Sequence, residues 1–365
     1  GRLGGDEFTL LLPGTGSAPE AAEAANQLLE RLRAPLVVGG HQMVVSGSLG
    51  MSLYPADGAD PTSLLRKADI AMYRAKDSGR ARAVAYEEAM SESSRERNEL
   101  ELALRSGDLQ QQLVLHYQPI VRSGSGEITG AEALIRWLHP TRGLLAPMEF
   151  LPTAEASGTA EAISDWVLRT ACRQAADWRR RYHDGFRISV NLTARAFESP
   201  RLVPSLDEIL DDSGLPADAL ELEITETMAL LSGGEPIATL TRLRERGMRV
   251  AVDDFGIGYS SLSYLRELPI ETVKLDSSFI RELGRRPEDS RIVGAVIQLA
   301  HGLGMEVVAE GVEEEEQMAV LELLYCDKMQ GFLFSRPLPP ERFEELMDAA
   351  RPFRTARAPS RDPLG

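Results

Sequence analysis

From residue 113 onward the sequence keeps one rhythm: a short run of apolar and β-branched residues, then a stretch with helical spacing. The runs fall at 113–121, 127–135, 186–192, 220–225, 249–254, 272–275, 306–309 and 329–334. Runs of this length between amphipathic stretches predict strands joined by helices, and eight of them predict an α/β fold closed as a (β/α)8 barrel of the TIM kind. The alternative is an open doubly wound sheet, but no Gly-rich phosphate loop follows the first strand to support it.

The first part of the chain reads differently. Gly4-Gly5 ahead of an apolar run from Phe8 predicts a tight hairpin arm. Helical spacing covers 18–33, two strands are expected around Gly39-Gly40 over 37–54, and an amphipathic helix over 62–77 stops at Gly79. A chain that opens on a hairpin arm reads as the back half of a domain. The expected organisation is therefore a partial domain at 1–86, a charged helical connector at 87–112 that also begins the next domain, a barrel at 113–348 and a disordered tail at 349–365 rich in Pro, Arg and Ser. The boundary is placed near residue 90.

Composition removes several functions. A net charge of −16 repels long polyanions, so a nucleic-acid polymer is not the expected partner. A small phosphate ligand is still compatible, provided cations reverse the local field. Cys172 and Cys326 lie far apart with no CxxC spacing, which argues against a disulfide framework or a zinc knuckle and for a reducing cytoplasm. No apolar run of about 18 residues and no secretion signal is present, although a region upstream would still permit membrane attachment of a longer protein.

Barrels place their chemistry where strands end at one rim. The residues at those ends are Glu132, Asn191, Glu223, Asp253, Asp254, Lys274, Glu310 and Gln330. Each alone reads as a solvated strand end. Five carboxylates and an amide converging on one rim, however, repel one another unless cations lie between them. Oxygen ligands without a His or Cys cluster favour Mg²⁺ or Mn²⁺ over zinc, and the adjacent Asp253-Asp254 pair suits two ions, an arrangement for phosphoryl transfer. Lys274 supplies a fixed positive charge for a transition state, or else a salt bridge to Asp276. Strand alternation puts Arg136 on the face of Glu132, where it can hold a phosphate oxygen or pair with an acid.

These residues sit in motifs that resemble the EAL domain over 113–340: YQPI at 117–120, Glu132-Ala133-Leu134 inside AEALIRWLHP, SVNLT at 189–193, ELEITET at 221–227, VDDFGIGYSSLSYL at 252–265, VKLD at 273–276, AEGVE at 309–313 and QGFLFSRPLP at 330–339. The resemblance implies a modified TIM barrel that hydrolyses cyclic-di-GMP to linear pGpG. It implies metal binding by Glu132, Asn191, Glu223 and Asp253, with Asp254 assisting a second ion. Glu310 matches a general base or water-orienting acid, Lys274 a catalytic lysine, and Gln118, Arg136 and Gln330 positions at the substrate. Glu226 matches a glutamate that steadies the loop from Phe255 to Ser261, its plain alternative being a surface carboxylate at a helix start. A homodimer through this domain is also implied. Ile257 replaces the threonine usual in DFGTGYSS, which bears on turnover, and Tyr325 stands where a glycine often precedes the CD pair.

Residues 1–86 similarly resemble the C-terminal half of a GGDEF domain, with Gly4-Gly5-Asp6-Glu7-Phe8 intact and KADIAMYRAKDSGR as its closing helix. In complete members the glycines let the backbone approach GTP and the acids help hold Mg²⁺. Other residues of that nucleotide site would precede residue 1, so cyclase activity is not expected of this chain, while a completed domain would permit GTP binding. Two functional classes remain for the barrel: an active cyclic-di-GMP phosphodiesterase, or a weak cyclic-di-GMP receptor acting through a partner. Retention of Glu132 and Asp253 favours the enzyme.

Overall fold

A computed structural model gives the architecture, and it describes residues 1–15, 17–39, 41–230, 234–256, 265–349 and 353. The chain divides into two compact units, residues 1–103 and 104–365.

In the first unit β1 (Arg2–Gly4) and β2 (Glu7–Phe8) form the expected hairpin, with Gly5 at φ 52° supplying the left-handed turn. The helix Ala18–Leu32 starts where Ser17 accepts from the Glu20 backbone N–H, and the helix Pro61–Asp77 where Asp60 accepts from Ser63, each with Pro early in its first turn. The 37–54 region holds three strands instead of two. β3 (Leu36–Val38) and β4 (His41–Met43) pair with each other, while β5 (Leu49–Met51) runs parallel to β6 (Ala83–Ala85). Gly50 explains the departure: a Cβ there would lie 1.9 Å from the Ala68 carbonyl oxygen, so the third strand is bedded on the helix Pro61–Asp77. The helix Glu88–Leu104, expected as a connector, falls almost wholly within this unit.

The second unit is a closed barrel. Its strands are β7 (Leu113–Arg122), β8 (Ile128–His139) with a short hairpin extension β9 (Gly143–Leu145), β10 (Arg187–Asn191), β11 (Leu220–Thr225), β12 (Arg249–Phe255), β13 (Thr272–Leu275), β14 (Glu306–Ala309) and β15 (Lys328–Met329). Pairing runs β10-β11-β12-β13-β14-β15-β7-β8, and β8 closes on β10. Closure removes the open-sheet alternative. One strand is reversed, since β7 is antiparallel to both β8 and β15 while the other barrel neighbours are parallel. The expected strand at 329–334 is only its beginning. After Met329 the chain turns, with Phe334 N–H donating to Gly331 O at 3.2 Å and Leu333 N–H to Val312 O at 3.0 Å.

Helices are fixed to the outside by apolar stripes. The helix Ala160–Arg181 buries Ile163, Val167, Ala171, Cys172 and Trp178 at helical spacing. Trp178 meets Tyr117 edge-on at 4.7 Å and stacks on Phe343 at 4.8 Å, and its indole N–H is satisfied by Glu344 at 2.9 Å. Inside, the lower end is polar. Glu221 accepts from Thr272 Oγ1 at 2.5 Å and pairs with Arg249 at 3.4 Å, while Glu306 pairs with Arg249 at 2.7 Å, Lys328 at 3.0 Å and Arg187 at 3.2 Å. Of the expected tail, Phe353 donates its N–H to Gly126 O at 3.0 Å and sets its ring edge-on to Phe334; 350–352 and 354–365 lie outside the described residues.

Candidate active site

The period-2 alternation of the strands that lines the lower barrel also builds its upper rim. On β11, Glu221 serves the bottom and Glu223, two residues on, the top; on β13 Thr272 and Lys274 divide the same way. Lys274 lies at the centre, with 2% of its side chain exposed. Its ammonium is 2.6 Å from Glu310, 2.8 Å from Glu223, 3.5 Å from Asp253 and 3.6 Å from Glu132. These are ion pairs without hydrogen-bond alignment, since Lys274 Nζ has no aligned partner. The expected alternative of a Lys274–Asp276 pair does not form; Asp276 instead caps the helix Ser277–Ile280 by accepting from Ser278 at 2.9 Å.

Around this charge the other expected residues assemble. Glu132 accepts from the Asn191 side-chain amide at 2.6 Å and from Gln330 at 2.6 Å. Gln330 also donates to Gln118 at 3.1 Å, and Gln118 donates to the Ser335 carbonyl at 3.1 Å. Gln118 reaches the rim because β7, running backwards, sets it directly opposite Glu132. Asp253 and Asp254 lie near the end of β12 at a bulge against β13, where Asp254 takes a left-handed φ of 54° and its N–H donates to Asp253 Oδ1 at 3.0 Å. One oxygen from each of Asp253, Asp254 and Glu310 lies within 4.8 Å of the others.

The electrostatics are those of too many acids in a dry place. Burial and the neighbouring Glu132 drive Glu223 far above the usual carboxylate range, and burial with Asp253 and Glu132 pushes Glu310 up to about 8 against the pull of Lys274. Burial and Asp253 likewise raise Asp254. Glu132 goes the other way: burial opposes its charge, but Lys274, Gln330 and Asn191 outweigh that and hold it low. Burial also opposes the charge of Lys274, yet Glu132, Glu223 and Glu310 keep it firmly protonated.

A divalent cation fits this set. Neither oxygen of the buried Glu223 receives an aligned hydrogen bond, and the Lys274 ammonium 2.8 Å away is shared with three other carboxylates, so the group keeps acceptor capacity for a cation. All donors are oxygen, which suits Mg²⁺ or Mn²⁺. Among the described residues this is where metal-capable side chains gather in a group of three or more. Asp6 and Glu7 stand exposed on the β1–β2 hairpin.

Two further residues of the expected set have partners outside this cluster. Arg136 is half-buried and donates to its own neighbour, the Ile135 carbonyl, at 2.8 Å instead of gripping an acid. Glu226 is buried and accepts from the Gly256 N–H at 3.0 Å, so it holds the start of the loop after β12; the part of that loop from Ile257 to Ser261 lies outside the described residues. Tyr325, in the place of the usual glycine, carries φ 63° and is 75% exposed. Sequence reasoning missed the apolar and turn residues of the mouth. A cavity of about 220 Å³ is lined by Glu132, Asp253 and Glu310 and also by Leu134, Gly311 and Phe332.

Comparison with known proteins agrees with this fold. The EAL domain matches residues 97–337, and the diguanylate cyclase GGDEF domain matches residues 1–82. The bifunctional diguanylate cyclase/cyclic di-GMP phosphodiesterase MucR of Pseudomonas aeruginosa is 42% identical over 341 residues, 93% of this chain and 50% of that protein. The cyclic di-GMP phosphodiesterase NbdA of the same organism is 40% identical over 359 residues, 97% of this chain and 46% of that protein. The chain thus spans about half the length of the curated relatives it matches. Among solved structures, the PaMucR phosphodiesterase in its c-di-GMP complex is 42% identical with a TM-score of 0.64, covering 67% of this chain and 99% of that one. The EAL enzyme Bd1971, in a form with cAMP and cyclic-di-GMP bound, is 32% identical with a TM-score of 0.67, covering 79% and 76%. With an eight-stranded barrel, one reversed strand and an acidic rim around a buried lysine, the chain belongs to the EAL-domain family and carries a GGDEF region ahead of the barrel.

Proposed function

We propose that this chain hydrolyses one phosphodiester bond of cyclic-di-GMP to give linear pGpG, using two divalent ions, Mg²⁺ or Mn²⁺, held at the upper rim. The observation that carries the reading is the buried Glu223 carboxylate with neither oxygen in an aligned hydrogen bond, beside an acid group built from Asp253, Asp254 and Glu310. Glu132, Asn191, Glu223 and Asp253 would hold the first ion, and Asp253 with Asp254 the second. Such ions supply Lewis-acid stabilisation of the phosphoryl oxygens.

The chain's own residues do the rest. Glu310, 2.6 Å from Lys274, is the group positioned to take a proton from the attacking water, in the ionised form that bound cations beside it would favour. Lys274 keeps its charge and opposes the negative charge that grows on the phosphate. Gln118 and Gln330, tied to each other and to Glu132, fix the carboxylate and present amides at the cavity wall. Arg136, which spends one donor on a carbonyl, retains guanidinium donors for a phosphate. The chemistry suits a cytoplasmic protein: Cys172 and Cys326 are buried free thiols, both pushed up to about 12 by burial. No helix among the described residues is long and apolar enough to cross a membrane.

Purified protein with Mn²⁺ should convert cyclic-di-GMP to pGpG, followed by chromatography, and Glu132→Ala or Glu310→Ala should remove most turnover. Tight binding of cyclic-di-GMP by the wild type without any pGpG would replace the enzyme with a receptor.

A further inference from the structure

Gln317 lies outside the acidic rim, yet only 3% of it is exposed. It stands in the first turn of the helix Glu315–Leu323, which follows β14. A glutamine there ordinarily reaches back to one N–H at the helix start, and Gln317 does so, accepting from Glu314 at 3.0 Å. Two further bonds exceed what a helix start asks for. The same side-chain oxygen accepts from the Glu313 N–H, outside the helix, at 2.8 Å. Its amide donates to the Arg281 carbonyl at 3.4 Å, in the segment that follows the helix Ser277–Ile280.

The arc held in this way leads directly out of the reacting cavity, which Glu310, Gly311 and Glu313 line together with Ser277. Its backbone is accounted for almost residue by residue. The Glu310 N–H donates to Leu275 O at 3.1 Å, the Val312 N–H to Gln330 O at 3.1 Å, and the next two N–H groups, of Glu313 and Glu314, go to Gln317. Gly311, at φ 68°, lies so close to the β13 side that a Cβ on it would stand 2.5 Å from the Ser277 Cβ. Arg285 also pairs with Glu314 at 2.8 Å, but both side chains are about half exposed and such a pair contributes little. Gln317 is therefore a buried polar tie between the loop after β14 and the loop after β13, and these two strands carry Glu310 and Lys274.

We propose, on the reading of Glu310 as the proton acceptor, that Gln317 is its positioning residue. By taking the N–H groups of Glu313 and Glu314 and bonding Arg281, it locks the two loops together and fixes the Glu310 carboxylate with respect to Lys274, 2.6 Å away, and to the attacking water. Gln317 touches neither substrate nor ion; it acts through the arc. A displacement of about 1 Å at a reacting group can cost roughly a hundredfold in rate, so a tie of this kind shows in kcat while binding is kept.

The full chain with Gln317→Met and Gln317→Glu tests this. Methionine keeps the length of the side chain and removes its polar atoms; glutamate keeps the accepting oxygen, and either residue serves at this helix position. Gln317→Met should lower kcat for cyclic-di-GMP roughly ten- to a hundredfold with KM within about twofold of the wild type, and should lose as much in Mn²⁺-dependent cleavage of bis(p-nitrophenyl) phosphate, which lacks the bases. Gln317→Glu should return kcat to within about threefold of the wild type. Hydrogen exchange read by mass spectrometry over 311–315 should speed up at least about tenfold in Gln317→Met and stay near the wild-type rate in Gln317→Glu. A Gln317→Met kcat within twofold of the wild type, unchanged exchange over 311–315 in that variant, or equal impairment of the methionine and glutamate variants overturns the inference. Should Gln317→Met not fold, protection of 311–315 in the wild type together with an active Gln317→Glu supports the tie, and a wild-type segment that exchanges as freely as unfolded chain, or an inactive folded Gln317→Glu, refutes it. A wild type that binds cyclic-di-GMP without cleaving it removes the hydrolysis reading and with it the positioning role, whereas the exchange measurement still decides whether the tie exists.

Discussion

Replacing Lys274 by methionine keeps the length of the side chain and deletes its charge. In the metal-free protein the ammonium is the cation that opposes Glu310 at 2.6 Å, Glu223 at 2.8 Å, Asp253 at 3.5 Å and Glu132 at 3.6 Å. Removing one partner from a buried charge cluster typically costs about 3–5 kcal/mol, because the remaining charges are left uncompensated. For a domain of this size each kcal/mol moves the melting temperature by about 2–4 °C, so the barrel transition should fall by about 10 °C in EDTA. Divalent ions then take over the missing role. Mn²⁺ at a hundredfold excess over its dissociation constant adds about 2.7 kcal/mol to a protein that binds it only when folded. With one more net negative charge in its cage, Lys274→Met should bind Mn²⁺ more tightly than the wild type and gain more in melting temperature, while its turnover stays low. Differential scanning calorimetry with and without Mn²⁺ reads both effects. If the variant in EDTA melts within about 1 °C of the wild type, the lysine does not hold the acids together and the charge argument is wrong.

The other predictions concern the site's supports. Gly331→Ala forces a Cβ against the Val312 carbonyl, 2.1 Å away, so the turn carrying Phe332 must shift; hydrolysis of cyclic-di-GMP should drop at least tenfold, with a destabilisation of about 1–3 kcal/mol by urea unfolding. Glu226→Ala releases the Gly256 N–H bonded at 3.0 Å, and should lower turnover severalfold while the melting temperature moves by only a few degrees. At the lower end, burial opposes the charge of Glu306 but Lys328 and Arg249 outweigh it and depress its carboxyl below the usual value near 4.5. A depressed acid gives stability that is complete above that value and is lost as pH falls through the folded one. Glu306→Gln should therefore cost about 1 kcal/mol at pH 7, discounted for a side chain 37% exposed, and the gap to the wild type should close toward acid pH in thermal melts.

Much of this site could be read from residues alone because strand alternation is blind to long-range contacts. Glu223, Asp253, Lys274 and Glu310 each end a recognisable strand, and ends of parallel strands meet at one rim whatever the helices do. The reversal of β7 also had a local signal: only residues 123–127, Ser-Gly-Ser-Gly-Glu, separate it from β8, too few for the crossover a parallel pair needs. The rest depended on distance in sequence. The bond of Glu226 to Gly256, 30 residues on, has no signal in the local pattern and is expected only from the family motif, while Phe332 sits in a turn whose apolar run reads as a strand. The barrel interior further shows why acidic residues alone do not mark a site. At the lower end Arg187, Arg249 and Lys328 more than match Glu221 and Glu306, and the cluster is a self-neutralised plug. At the upper end one lysine faces four carboxylates, two of them driven toward the neutral form. The same alternation lays down both layers, and it is the unbalanced one that has work left for a cation.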